Sequence, residues 1–87
     1  MGFMAFYKIL YWQNIPSQIK VWDDFDEIKI ELPQRFMVKI DQAAKEKGLT
    51  GNEDYLAQWN WSDEVEIDGE PTDVAEKIKT ELEEKFK

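Results

Sequence analysis

The chain has 87 residues, enough for one small domain, with 43% hydrophobic and 14% aromatic content to build a core. It contains no Cys and no His, which removes zinc fingers, thiol chemistry, iron–sulfur clusters and every His-based catalytic relay. The formal charge of −8 is uneven: residues 1–50 are neutral, while residues 51–87 carry twelve acids against four lysines. That excess repels phosphate backbones from the C-terminal part of the chain.

Residues 1–12 lack a basic leader and a small-residue cleavage site, so no signal peptide is expected. Met1-Gly2 opens as an N-myristoylation site does, but Phe6 stands where Ser or Thr is needed. No apolar run is long enough for a transmembrane helix. These readings give an expectation of a cytoplasmic protein.

Residues 5–13 are rich in aromatic and β-branched types and predict a strand. One of its faces carries Phe6, Lys8, Leu10 and Trp12, the other Tyr7, Ile9 and Tyr11, so a central strand covered on both sides is expected, ahead of the alternative of an aromatic face used in association. Asn14-Ile15-Pro16 predicts a turn, since Pro cannot donate to a ladder. A second strand is expected over 17–22. The acidic link DDFDE and a third, alternating strand over 27–32 follow, with Ile28, Ile30 and Leu32 inward.

Pro33 suits the first turn of a helix, and Phe36, Met37, Ile40, Ala43 and Ala44 form one helical stripe over 33–47. Gly48 is placed as a left-handed stop, with Leu49 folding back on Ala43 or Ala44. Thr50 and Glu53 form a capping-box pattern, predicting a second helix over about 51–60. A short strand over 61–67 needs a slip or bulge to accommodate the parity of Trp61. From Pro71 a last helix carries Val74, Ile78, Leu82 and Phe86. Its i,i+4 pairs are Asp73–Lys77, Glu81–Lys85 and Glu83–Lys87. The expected fold is a single α+β domain, order β-β-β-α-α-β-α. Its antiparallel sheet of three or four strands has helices packed on one face.

The helix pair 33–60 has the outline of a helix-turn-helix, but its second helix carries Glu53 and Asp54 and no base, which argues against DNA. Asp23, Asp24 and Asp26 are weak candidates for a hard-cation site, because their spacing lacks the calcium-loop pattern. Four Trp and three Tyr in so small a chain point instead to an aromatic interface.

Several short stretches also resemble one family. Tyr11-Trp12-Gln13-Asn14-Ile15-Pro16-Ser17-Gln18-Ile19, Leu32-Pro33-Gln34-Arg35-Phe36, Ile40-Asp41-Gln42-Ala43-Ala44, Gly48-Leu49-Thr50-Gly51 and Tyr55-Leu56-Ala57-Gln58-Trp59 resemble the small bacterial virulence factor domain family. The resemblance spans about residues 7–61 and leaves 62–87 as an acidic strand and helix extension. It implies a short cytosolic protein or a module of a larger virulence regulator, and it brings no catalytic residue.

The first functional reading is a non-enzymatic interaction or regulatory module using aromatics near Tyr11, Trp12, Arg35 and Trp59. The alternative is a small-molecule or cation-binding protein, or an enzyme working through carboxylates alone. No cofactor is expected, and the expected partner is another protein or a second copy, not nucleic acid or membrane.

Overall fold

The computed structural model describes residues 4–86. Five strands and three helices follow one another as β1 (Met4–Trp12), β2 (Ile15–Trp22), β3 (Glu27–Glu31), α1 (Gln34–Glu46), α2 (Asn52–Leu56), β4 (Trp59–Trp61), β5 (Val65–Asp68) and α3 (Pro71–Lys85). The sheet is antiparallel throughout, in the order β3-β2-β1-β4, with β5 also on β1. β4 and β5 share one edge of β1: β5 pairs with Met4–Tyr7 and β4 with Leu10–Trp12. Together they do the work of one interrupted strand.

That interruption is the slip demanded by Trp61. Trp61 lies opposite Leu10, whereas Val65 and Ile67 lie opposite Tyr7 and Ala5 on the other face. Ser62 bridges the gap: its backbone N–H donates to the Ile9 carbonyl (2.8 Å), and its hydroxyl accepts from the Ile9 N–H (2.9 Å). The central strand therefore keeps its backbone bonds satisfied across the break.

The main core lies between one sheet face and the helices. Ala5 and Ile9 of β1, Ile19 and Val21 of β2, and Leu32 meet Phe36 of α1 and Val74, Ala75, Ile78 and Leu82 of α3. Ile28 and Ile30 join them while Glu27, Lys29 and Glu31 point outward, as alternation requires. α3 starts with Pro71 at the head of the helix and buries the expected stripe. Gly69 precedes it at φ +131, and a Cβ there would stand 3.1 Å from Val74 Cγ2. A smaller cluster forms at the far end, where Ile40 and Ala44 of α1 close on Trp12 with Tyr55, Trp59 and Leu49 around them.

Several expectations need correction. β2 begins at Ile15 and contains Pro16, because a bulge pairs Leu10 with Gln18 and Tyr11 with Pro16, and there a missing N–H is tolerated. The turn is instead Gln13-Asn14, with Gln13 at φ 54. The capping box does not form: Gly51 precedes α2, no side chain caps it, and the helix ends at Leu56. One short turn of helix cannot sustain itself, and Trp59–Trp61 instead gains a ladder against β1. Pro33 stands just before α1, which runs 34–46. Gly48 takes φ 70 as expected, and the Leu49 N–H donates to Ala44 O (2.8 Å). Lys20 and Glu27 form an ion pair at 3.0 Å, whereas Asp73–Lys77 and Glu81–Lys85 do not close and Lys87 lies outside the described residues. Among the described residues no helix is long and apolar enough to cross a membrane.

Candidate interaction surface

The residues singled out from sequence fall into different environments. Trp12 is fully buried, its ring 5.6 Å from that of Tyr55 and its indole N–H donating to Tyr55 O at 3.0 Å. A side chain with no exposed surface offers a partner nothing to touch, so the expectation of an exposed Trp12 is corrected: it anchors the second core cluster. Trp59 is half-buried beside it, edge-on to Tyr55 at 6.1 Å. Arg35 reaches α3 and donates to Phe86 O (3.0 Å) and Glu83 O (3.1 Å), with its guanidinium 4.8 Å from the Phe36 ring centre. It caps the orphan carbonyls at the C-terminus of α3 and stacks on the core.

Tyr11 is half-buried and lines a hollow of about 520 Å³ with Gln13, Asn14, Lys85 and Phe86. Burial, and then the neighbouring Tyr7, push its hydroxyl pKa above the ordinary 10.0. Tyr55 moves the same way, through burial and then Asp41.

Gln13 is a hub that sequence reasoning passed over. Its N–H donates to Gln58 O (2.9 Å) and its side-chain amide to Gln58 Oε1 (3.1 Å), while Lys47 Nζ donates to its Oε1. The β1–β2 turn is thereby tied to the end of α1 and to the link between α2 and β4. A positive φ at the first turn position usually calls for Gly, so these bonds offset a backbone cost of about 1 kcal/mol. The stretches that resemble the virulence factor family therefore have structural duties. Trp12 and Phe36 fill cores, Gln13 and Gly48 make turns, Pro16 occupies a bulge and Arg35 caps a helix.

The acidic link forms a turn in which Asp23 Oδ1 accepts from the N–H groups of Phe25 (2.8 Å) and Asp26 (2.7 Å). Phe25 projects from it, 91% exposed. Open hollows of about 330 and 550 Å³ flank the turn, the larger reaching Glu70 and Thr72. No group of three or more acidic side chains is placed to share a cation among the described residues, Asp23, Asp24 and Asp26 included.

The surface with most chemistry is the sheet face turned away from the main core. Along Phe6, Lys8 and Leu10 the face of β1 stays partly exposed, because α3 and Phe36 of α1 pack on the other face; at the end of the strand Trp12 is covered by Ile40 and Ala44 of α1. Register arranges this outer face in rows. Glu66, Phe6, Trp22 and Glu27 lie side by side, with Phe6 and Trp22 stacked at 6.0 Å. Next comes Lys8, Lys20 and Lys29, and then Trp61, Leu10, Gln18 and Glu31. Lys20 binds Glu27 at 3.0 Å and lies over the Trp22 ring. Lys8 and Lys29 have no ion pair among the described residues.

Like charges directly opposite one another in a sheet are destabilising, so the pairing of these lysines adds nothing to the β1–β2–β3 ladder beyond the contacts of Lys20. The alternation of each strand is visible in the sequence, but the alignment of Lys8, Lys20 and Lys29 depends on the register of two pairings, β1–β2, which the bulge at Ser17 shifts, and β2–β3.

Comparison with protein families finds a match to the virulence factor family over residues 10–87, which takes in the C-terminal segment where the short stretches gave no signal. No curated protein and no solved structure matches the chain. A match of that extent identifies the chain as a member of the virulence factor family.

Proposed function

We propose that this protein is a non-enzymatic interaction or regulatory module whose partner, another polypeptide, docks on the outer face of the sheet. The observation that carries the reading is the uncovered aromatic and lysine array on β1, β2, β3 and β4, with Trp61 46% and Met4 43% exposed at its margins. Large aromatics beside cations on a rigid sheet are the materials of binding hot spots. Tyr11 packs against the main core on the opposite face of β1, and the half-buried Trp59 packs against the second cluster beside Trp12. Trp12 and Arg35 contribute by holding the scaffold. The acids near Asp23 are engaged in a turn or paired with Lys20, so they support a catalytic or cation-binding reading less well.

Site-specific photo-crosslinking tests the reading. A photoreactive residue at Gln18, on the outer face beside the lysine row, is expected to give a discrete adduct that Trp22→Ser abolishes. The same residue at Thr80, on the exposed side of α3, is expected to give none. Equal adducts from both positions, or none from Gln18, would sink the proposal.

A further inference from the structure

Resting on that reading, we infer that the row Lys8–Lys20–Lys29 is the specificity element of the outer face and takes an acidic amphipathic helix of the partner.

The argument begins with spacing. Neighbouring strands stand about 4.8 Å apart, so the three lysine positions span about 9.6 Å across the sheet. Carboxylates at i, i+4 and i+7 of a helix lie on one face and span about 10.5 Å at 1.5 Å per residue. An extended peptide repeats its same-face side chains every 6.8 Å or so, out of step with the lysines. A helix laid along the row, across the strands, brings each carboxylate to a lysine.

The rows on either side favour an amphipathic rather than a uniformly acidic ligand. Phe6 and Trp22 form one flank, and Leu10 with Trp61 the other. Apolar residues beside the acidic stripe of a partner helix would rest on these flanks. Glu66 and Glu27 end the first flanking row, and Glu31 ends the second. A continuous polyanion such as single-stranded nucleic acid would pass into these acids and be repelled. A helix whose charge is confined to a central stripe avoids them.

Nor do the lysines reinforce the sheet. They face one another directly, and of the three only Lys20 has an ion pair within 4.0 Å. Replacing Lys8 and Lys29 should therefore leave the fold as stable as before or raise its stability, while weakening docking. A purely structural role predicts no such separation.

The test uses the full chain and a dye-labelled synthetic amphipathic helix with Glu at i, i+4 and i+7 and Leu on both flanks, read by fluorescence anisotropy. Controls are the same peptide with Lys for Glu and a single-stranded oligothymidine. The expected result is saturable binding of the Glu peptide alone. K8Q combined with K29Q should weaken it about tenfold, with an unchanged or higher melting temperature. Binding should also weaken as salt rises from about 0.05 to 0.5 M. Binding of the Lys peptide through the same face would overturn the acidic partner and leave the interaction reading standing. Preference for oligothymidine, or no binding of the Glu peptide, would also overturn the inference, as would Glu-peptide binding untouched by the double substitution. Loss of the Gln18 crosslink described above would instead remove the interaction reading itself.

Discussion

Replacement of Trp12 measures how much of the molecule depends on its second cluster. The ring is fully buried between Ile40, Ala44 and Tyr55 and spends its indole N–H on Tyr55 O. An aromatic side chain of this class buries about 150–250 Å², which at about 25 cal/mol per Å² is worth about 4–6 kcal/mol. Large-to-small replacements of Trp in cores cost about 3–5 kcal/mol, and the lost hydrogen bond about 1 kcal/mol more. We therefore expect Trp12→Ala to cost about 4 kcal/mol, against a total stability of about 4–13 kcal/mol for a chain this long. Trp12→Phe, which keeps a ring but loses the donor, should cost about 2 kcal/mol. Urea unfolding followed by far-ultraviolet circular dichroism gives both values without relying on the fluorescence of the residue removed. A cost below about 1 kcal/mol for the alanine variant would show that Trp12 is not the anchor described here. The phenylalanine variant, still folded, should bind the acidic peptide as the parent does.

Three further outcomes follow from named contacts. Arg35→Ala should cost about 1 kcal/mol in thermal unfolding, because it frees two carbonyls at the exposed end of α3, and should speed amide exchange at the end of that helix. Partner binding lost without that fraying would instead make Arg35 a contact residue. Gln13→Ala should be less stable than Gln13→Gly by about 1 kcal/mol, since both lose the bonds to Gln58 and Lys47 but only glycine is at ease at φ 54; equal stabilities would contradict the strain. For Tyr11, a raised pKa means that the folded state holds its proton more tightly than the unfolded chain does. That contribution is complete below pH 10.0 and is lost as pH rises through the folded-state pKa, so Tyr11→Phe should flatten the alkaline decline in stability. An unchanged alkaline slope would refute the assignment.

Legibility from sequence followed the range of the forces involved. Strand alternation at Glu27–Glu31, the Pro33 start, the Gly48 stop and the stripe of α3 are local and readable, and all four appear. Thr50 and Glu53 gave an equally local helix signal that tertiary pairing overrode, because Trp59 finds its ladder on Trp12, far away in the chain. Pro16 looked like a strand breaker since nothing local reveals the bulge that accepts it. The family stretches were identifiable, but whether Trp12 and Arg35 face solvent or core is decided by where α1 and α3 lie. The lysine row of the outer face was missed for a related reason. Lys8, Lys20 and Lys29 are unremarkable one by one, and only register makes them a row.

The account separates a structural signature from a binding face, and the indole N–H signals of the four tryptophans report on both at once. In a ¹⁵N NMR titration with the acidic helix peptide, Trp22 and Trp61 should shift while Trp12, buried and bonded to Tyr55 O, stays in place. Movement of Trp12 and Trp59 with Trp22 and Trp61 unmoved would contradict the account.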